Sequence, residues 1–142
     1  MVNLRPATAE DRDAIHALLS DLGYADVKPA AFVRVFADLL VDDKRTLTVA
    51  EDAGKLVGYV CAARMPAMRL GGDQILIDEL VVAAAARGKG VGTKLLESVR
   101  GLAKKVGACR IEVNTSRKRE SYTRGFYRKH GFTEADSALL RS

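Results

Sequence analysis

The sequence predicts a single α/β domain, a mixed and mostly antiparallel sheet with helices on both faces, in the order βααβββαβαβ. Three observations point there. The chain has 142 residues and 15.3 kDa, which leaves room for one domain spanning 1–142. Its 48% hydrophobic and 29% charged residues, with a mean hydropathy of −0.04, describe an ordinary globule and exclude disorder as the main state. Segments with apolar residues at helical spacing alternate with short apolar runs, and glycines or prolines separate them.

Val2–Arg5 reads as a short strand ended by Pro6. Thr8-Ala9-Glu10-Asp11 is a capping box with Asp in its last place. It opens a helix with Ile15, Leu18, Leu19 and Leu22 on one face, stopped by Gly23. Pro29 starts a second helix, with Phe32, Val35, Phe36, Leu39 and Leu40 at helical spacing. Thr46–Ala50 and Leu56–Ala62 form a hairpin around the turn 51–55. Met65–Gly72 reads as a loop, and Gln74–Val82 as a third long strand, apolar apart from Asp78 and Glu79. The next helix carries Val91, Leu95, Leu96, Val99, Leu102 and Val106, with Gly107 just past its end. Lys104 and Lys105 lie in its last turn, where the helix dipole favours cations. Cys109–Asn114 is another strand and Ser116–Glu120 a basic loop. A helix to about His130 follows, burying Tyr122 and Phe126 and carrying Gly125 in its interior. Gly131 ends it, and Phe132 onward gives a short strand or two.

No apolar run approaches the roughly 20 residues that span a bilayer, so no membrane association is expected. The opening Met1–Pro6 lacks a basic stretch followed by an apolar one, so no signal peptide is expected. Two cysteines, Cys61 and Cys109, make no disulfide framework. With His16 and His130 far apart there is no ligand spacing for a metal. The expected setting is reducing cytoplasm. Charge is uneven. Residues 1–86 carry 9 basic and 13 acidic side chains, residues 87–130 carry 13 and 3, and the tail from Gly131 carries 1 and 2. The basic portion suits a polyanion or a phosphorylated cofactor, and the acidic portion suits a cationic substrate.

The strongest signal is the run from Leu80 to Leu96: a strand, a loop Arg87-Gly88-Lys89-Gly90-Val91-Gly92, and an amphipathic helix. Glycines let backbone N–H groups approach a ligand. A helix N-terminus adds unpaired donors and about half a positive charge. Arg87, Lys89 and Lys94 add full charges, and Thr93 adds a hydroxyl. This is a phosphate cradle. It is not a P-loop, because Gly92-Thr93-Lys94 reverses the required order, and the third glycine comes too early for a dinucleotide fingerprint. The pattern that fits is Arg-x-x-Gly-x-Gly, as Arg87, Gly90 and Gly92.

On these residues the chain resembles the GNAT superfamily of N-acetyltransferases. The Arg-x-x-Gly-x-Gly loop matches that superfamily's acyl-CoA pyrophosphate motif and follows an apolar strand, Ile75–Val82. Phe126-Tyr127-Arg128-Lys129-His130-Gly131-Phe132 resembles its second hallmark, and Leu4-Arg5-Pro6-Ala7 its opening. The likeness covers nearly the whole chain. It departs at Glu120 and Thr123, where many relatives carry Asn and Ala. The resemblance implies acetyl-CoA as cosubstrate, an amine acceptor, and a homodimer as a common state. It implies cofactor contacts from Leu80, Val81, Val82, Arg87, Gly88, Lys89, Gly90, Val91, Gly92 and Thr93, with Asn114 in a polar role.

The chemistry follows from the acceptor. An alkyl amine has a pKa of about 10.4, and holding it neutral at pH 7 costs about 4–5 kcal/mol, so a base is needed. Asp78 and Glu79 are the candidates. Neighbours on a strand point to opposite faces unless a bulge intervenes, so one alone is expected to face the amine. Glu79 is favoured by its longer reach and because the resembled family has similar carboxylates on this strand. Asp78 is left to line the acceptor site. A salt bridge to a neighbouring Arg is the competing role for either. Tyr127 is the candidate acid, because the resemblance places a tyrosine of this pair near the thioester sulfur. It lies about 100° round the helix from Phe126. Backbone N–H groups at Leu80–Val82 are the implied oxyanion donors, on a strand the resemblance splays from Cys109–Asn114. The resemblance implies an acceptor pocket formed by the loop 21–29, with Tyr24, Asp21 and Asp26 lining it, and by the loop after the hairpin. The reading is thus an acetyl-CoA-dependent transferase acting on a primary amine of a small cationic molecule. The alternatives are a noncatalytic acyl-CoA sensor and a nucleic-acid-binding module using Arg117-Lys118-Arg119. Against the latter, the aromatics form no stacking set.

Overall fold

The computed structural model describes residues 1–24 and 26–142; position 25, inside the loop 21–29 assigned to the acceptor, lies outside the described residues. Five strands form one sheet in the spatial order β1 (Val2–Pro6), β2 (Arg45–Asp52), β3 (Lys55–Ala67), β4 (Gly72–Val82) and β5 (Arg110–Val113). The first four are antiparallel, and β5 runs parallel to β4. The helices are α1 (Arg12–Asp21), α2 (Pro29–Val41), α3 (Val91–Val106), α4 (Glu120–Thr123) and α5 (Phe126–Lys129).

The alternating side chains of the strands feed two cores. On one face Val60, Ile75 and Ile77 pack with Val91, Leu95, Leu96 and Val99 of α3. On the other Val49, Tyr59 and Val81 pack with Ile15 and Leu18 of α1 and Phe36 of α2. Leu95 and Leu96 are fully buried, so truncating either to Ala costs about 2–5 kcal/mol. The predicted capping box forms: the Thr8 N–H donates to the Asp11 carboxylate at 2.8 Å. Among the described residues no helix is long and apolar enough to cross a membrane.

Three expectations change. The segment 65–72 is not a loop: β3 runs to Ala67, β4 starts at Gly72, and only a 3-10 turn, Met68–Leu70, lies between. Pro66 is tolerated because β2 pairs with β3 only as far as Ala63, so this end of β3 has an open edge. The helix expected to run to His130 is two short ones, α4 and α5. Gly125, placed in a helix interior by the sequence reading, instead has φ +73 and caps α5. That left-handed conformation is open to glycine and breaks the helix. Finally, no strand follows Phe132 among the described residues. Leu139 and Leu140 are exposed there, and Glu134 is tied to Tyr122 and Arg117.

Two features of β4 position the site. Its pairing with β5 covers only Gln74–Ile77, so Asp78–Val82 extend past the end of β5, which is the expected splay. Its pairing with β3 also slips, because Cys61 pairs with Glu79 and Ala62 with Ile77. Asp78 is therefore the extra residue of a β-bulge.

Candidate active site

After Val82 the chain makes a 3-10 turn, Ala84–Ala86, and enters α3 through Gly88 and Gly90, both left-handed at φ +76 and +82. The first turn of α3 can lie against the strand ends because Gly58 has no side chain. A Cβ there would stand 2.8 Å from the Val81 carbonyl oxygen and 3.3 Å from Val91 and Leu95. The first bond into α3 runs from the Lys94 N–H to the Gly90 carbonyl, at 3.1 Å. The N–H groups ahead of it have no partner within the helix.

These donors open on a cleft of about 570 Å³. Its walls include Leu80, Val81 and Val82 from β4, then Arg87, Gly88, Gly90, Val91, Gly92 and Thr93, and on the far side Tyr127. Those are ten of the sequence-predicted residues, brought together in one place. Lys89 and Asn114 are exposed and do not line it; nor do Tyr24, Asp78 and Glu79. The sequence reading missed the opposite wall: Lys118, Arg119, Glu120, Ser121, Arg124 and Phe126. Its signal was the basic loop 116–120, which the sequence reading used only for the nucleic-acid alternative. Arg87 spans the cleft, with Nη1 3.3 Å from Glu120 and Nε donating to the Val82 carbonyl at 3.3 Å. Four cations in the walls (Arg87, Lys118, Arg119 and Arg124) face two carboxylates, Asp21 and Glu120. A helix N-terminus, a positive wall and the stretch of β4 beyond β5 together fit a long ligand with a diphosphate.

Gly92 serves a neighbour as well as a ligand. A Cβ on it would lie 3.2 Å from the Phe126 ring. Phe126 meets Tyr127 edge-on at 5.0 Å, and Tyr127 meets Phe132 edge-on at 5.9 Å. Burial pushes the Tyr127 phenol above its ordinary pKa, with Arg119 pulling weakly the other way. The group is therefore a proton donor at neutral pH. Thr93 is oriented from behind. His130 Nδ1 lies 2.8 Å from the Phe126 carbonyl oxygen, which only accepts. In the neutral ring Nε2 must then accept from the Thr93 hydroxyl, 3.1 Å away.

The bulge corrects the expectation that Asp78 and Glu79 face opposite ways. Ile77 and Leu80 both belong to the α3 side. The two residues between them therefore fall together on the α1–α2 side. Their partners differ. Asp78 is exposed and lies 3.4 Å from Arg45 Nη2, which also donates to Cys61 Sγ at 3.2 Å. Glu79 is half-buried and accepts from the Tyr59 hydroxyl at 2.6 Å. Burial, and then the Glu79 charge, hold the Tyr59 phenol far above the ordinary tyrosine range, so it stays a donor. Burial also raises the Cys61 thiol. The arginine salt bridge thus goes to Asp78, and Glu79 keeps an oxygen for other work. Tyr24 accepts from Arg119 Nη2 at 3.0 Å, with the guanidinium 5.8 Å from its ring centre. This contact joins the loop after α1 to the basic wall of the cleft.

A family model described as "Acetyltransferase (GNAT) family" matches residues 12–132. The chain is 31% identical over 132 residues to an aminoalkylphosphonate N-acetyltransferase of Salmonella typhimurium, covering 93% of this chain and 85% of that protein. It is 30% identical over 141 residues to a probable glucosamine 6-phosphate N-acetyltransferase of Oryza sativa subsp. japonica, covering 94% and 82%. Among solved structures, a protein described as a transcriptional regulator from Bacillus halodurans superposes with a TM-score of 0.92 at 27% identity, over 100% of this chain and 99% of the other. An aminoglycoside N-acetyltransferase solved with CoA superposes at 0.86 with 16% identity, over 100% and 94%; that likeness is one of fold.

Proposed function

The chain belongs to the acetyltransferase (GNAT) family, an N-acetyltransferase with acetyl-CoA as cosubstrate, and from that premise we propose that it acetylates the primary amine of a small molecule by direct transfer at the cleft between β4 and α5. The observation that carries this reading is the convergence of the glycine loop, the free end of β4 and the Tyr127 side wall on one cleft.

When bound, acetyl-CoA supplies the acetyl group and a thiolate that leaves well. Arg87 and the N–H groups before Lys94 hold its diphosphate. The main chain of Leu80–Val82 lies alongside the arm and meets the charge that develops on the carbonyl oxygen. Donors of that kind contribute about 3–4 kcal/mol each. Glu79 takes the proton from the acceptor's ammonium. It is held by Tyr59 and stands one residue from the cleft wall, so the proton passes through a bridging water. The neutral amine attacks the carbonyl carbon. As the C–N bond forms and the C–S bond breaks, the Tyr127 hydroxyl gives its proton to sulfur. The second nitrogen proton leaves to solvent, and the phenolate is reprotonated from solvent.

The test measures thiol release from acetyl-CoA over a panel of primary amines, for the natural chain and for Glu79→Gln. Turnover is expected with at least one small amine. The variant should be slower by about 10²-fold at pH 7 and recover as pH rises and free amine accumulates. An unchanged pH–rate profile removes Glu79 from the base role. No release with any amine refutes the transferase reading.

A further inference from the structure

Arg119 is half-buried at the junction of the cleft and the loop after α1, stacked over Tyr24 with one bond to its hydroxyl. Of its neighbours, Arg87 is paired with Glu120 and Arg117 with Glu134, while Arg124 lies over the Phe126 ring. Among the described residues no carboxylate lies within ion-pair distance of Arg119. A half-buried guanidinium without a counter-charge is a ready oxyanion site, and its planar fork suits two oxygens of one tetrahedral group. Its charge reaches both phenols of the site, Tyr127 on the cleft wall and Tyr59 beneath Glu79. An anion seated there lies on the wall of the same cleft that Tyr127 lines.

Both curated relatives are named for acceptors that combine an amine with a phosphorus oxyanion, an aminoalkylphosphonate and glucosamine 6-phosphate. We infer that Arg119 reads a phosphate or phosphonate carried by the acceptor amine, so that the acceptor is zwitterionic rather than simply cationic. This inference rests on the transferase reading above. Tyr24 sets the plane of the fork through one Nη2 bond and leaves the remaining donors for the oxyanion. The acidic balance of residues 1–86 does not oppose it, because the cleft walls themselves carry more cations than carboxylates.

The experiment compares kcat/KM for matched acceptors: 2-aminoethylphosphonate against propylamine, O-phosphoethanolamine against ethanolamine, and glucosamine 6-phosphate against glucosamine. The natural chain should prefer the anionic member of at least one pair. The phosphonate and phosphate arms show which source of the oxyanion is used. Arg119→Gln should reduce that preference about 10- to 100-fold, and Arg119→Lys should keep part of it, because a point charge replaces the fork. The KM for acetyl-CoA is measured in parallel. Equal rates within every pair overturn the inference while leaving the transferase intact. So does an Arg119→Gln variant that weakens acetyl-CoA binding and leaves the preference untouched. Absence of turnover with all six amines refutes the underlying transferase reading instead.

Discussion

Tyr127 shows how a single side chain is placed for chemistry. It stands edge-on between Phe126 and Phe132 and has its pKa raised by burial. The ring is fixed by aromatic contacts, and the hydroxyl is left to the cleft. Tyr127→Phe preserves those contacts and removes only the hydroxyl. A thiol of pKa about 8.5 leaves fairly well unaided, so the loss in kcat, read as thiol release, should be about tenfold or less. An equal rate would make Tyr127 a wall and nothing more. The angular placement from the sequence assumes one continuous helix carrying Tyr122 and Phe126 on one stripe; Gly125 interrupts that helix, and Tyr127 packs against Phe126 itself. The sequence did not foresee Tyr59, whose hydroxyl holds Glu79. An isolated tyrosine in an apolar strand looks like core until its cross-strand partner is known.

The glycine loop was legible as an element because its function is written in backbone freedom. Gly90 at φ +82 would cost a non-glycine residue about 1–2 kcal/mol. A Gly90→Val change therefore strains the start of α3 as well as filling the cradle. Gly92 obeys a different constraint. Gly92→Ala puts a Cβ 3.2 Å from Phe126, and the ring must yield, carrying Tyr127 with it. The expected result is a loss of about 1 kcal/mol, a fall in melting midpoint of about 3–5 °C, and a higher KM for acetyl-CoA. Both are checked on one preparation, by calorimetry and by kinetics. The bulge in β4 was not legible, since Ile77-Asp78-Glu79-Leu80 reads as a regular strand and only pairing with β3 reveals the extra residue. The absent strand after Phe132 failed for the same reason, because a strand needs a partner and the sequence of the segment does not name one.

At the scale of the molecule, one half-buried polar cluster around the buried Asp11 ties β1 and β2 to the entry of α1. Arg5 grips Asp11 through two bonds of 2.8 and 2.9 Å and reaches Glu51 at 3.2 Å, joining β1, β2 and the entry to α1. Those bonds, opposed by burial, hold the Asp11 carboxyl below its usual range. Because the folded pKa is depressed, this stabilisation is complete above the unfolded value of about 3.9 and drains away as pH falls through the folded one. Asp11→Asn should therefore cost about 2–3 kcal/mol near neutrality. The gap to the natural chain should close in acid, as read from urea midpoints at pH 7 and below pH 4; a gap independent of pH would contradict it. The fold class was readable from composition and period because two helical layers on one sheet demand two apolar faces, and the strands supply both. The extra residue at position 78 has a final consequence. It acts as a phase shift along β4: upstream the odd-numbered positions turn toward α3, downstream the even-numbered ones do. Exchanging Asp78 for another amino acid leaves that offset standing. Deleting it would restore a uniform pleat in which Ile77, Glu79 and Leu80 keep the faces they already occupy, so the loss would be the local kink and the partner of Arg45, while the division of the strand between its two cores would survive.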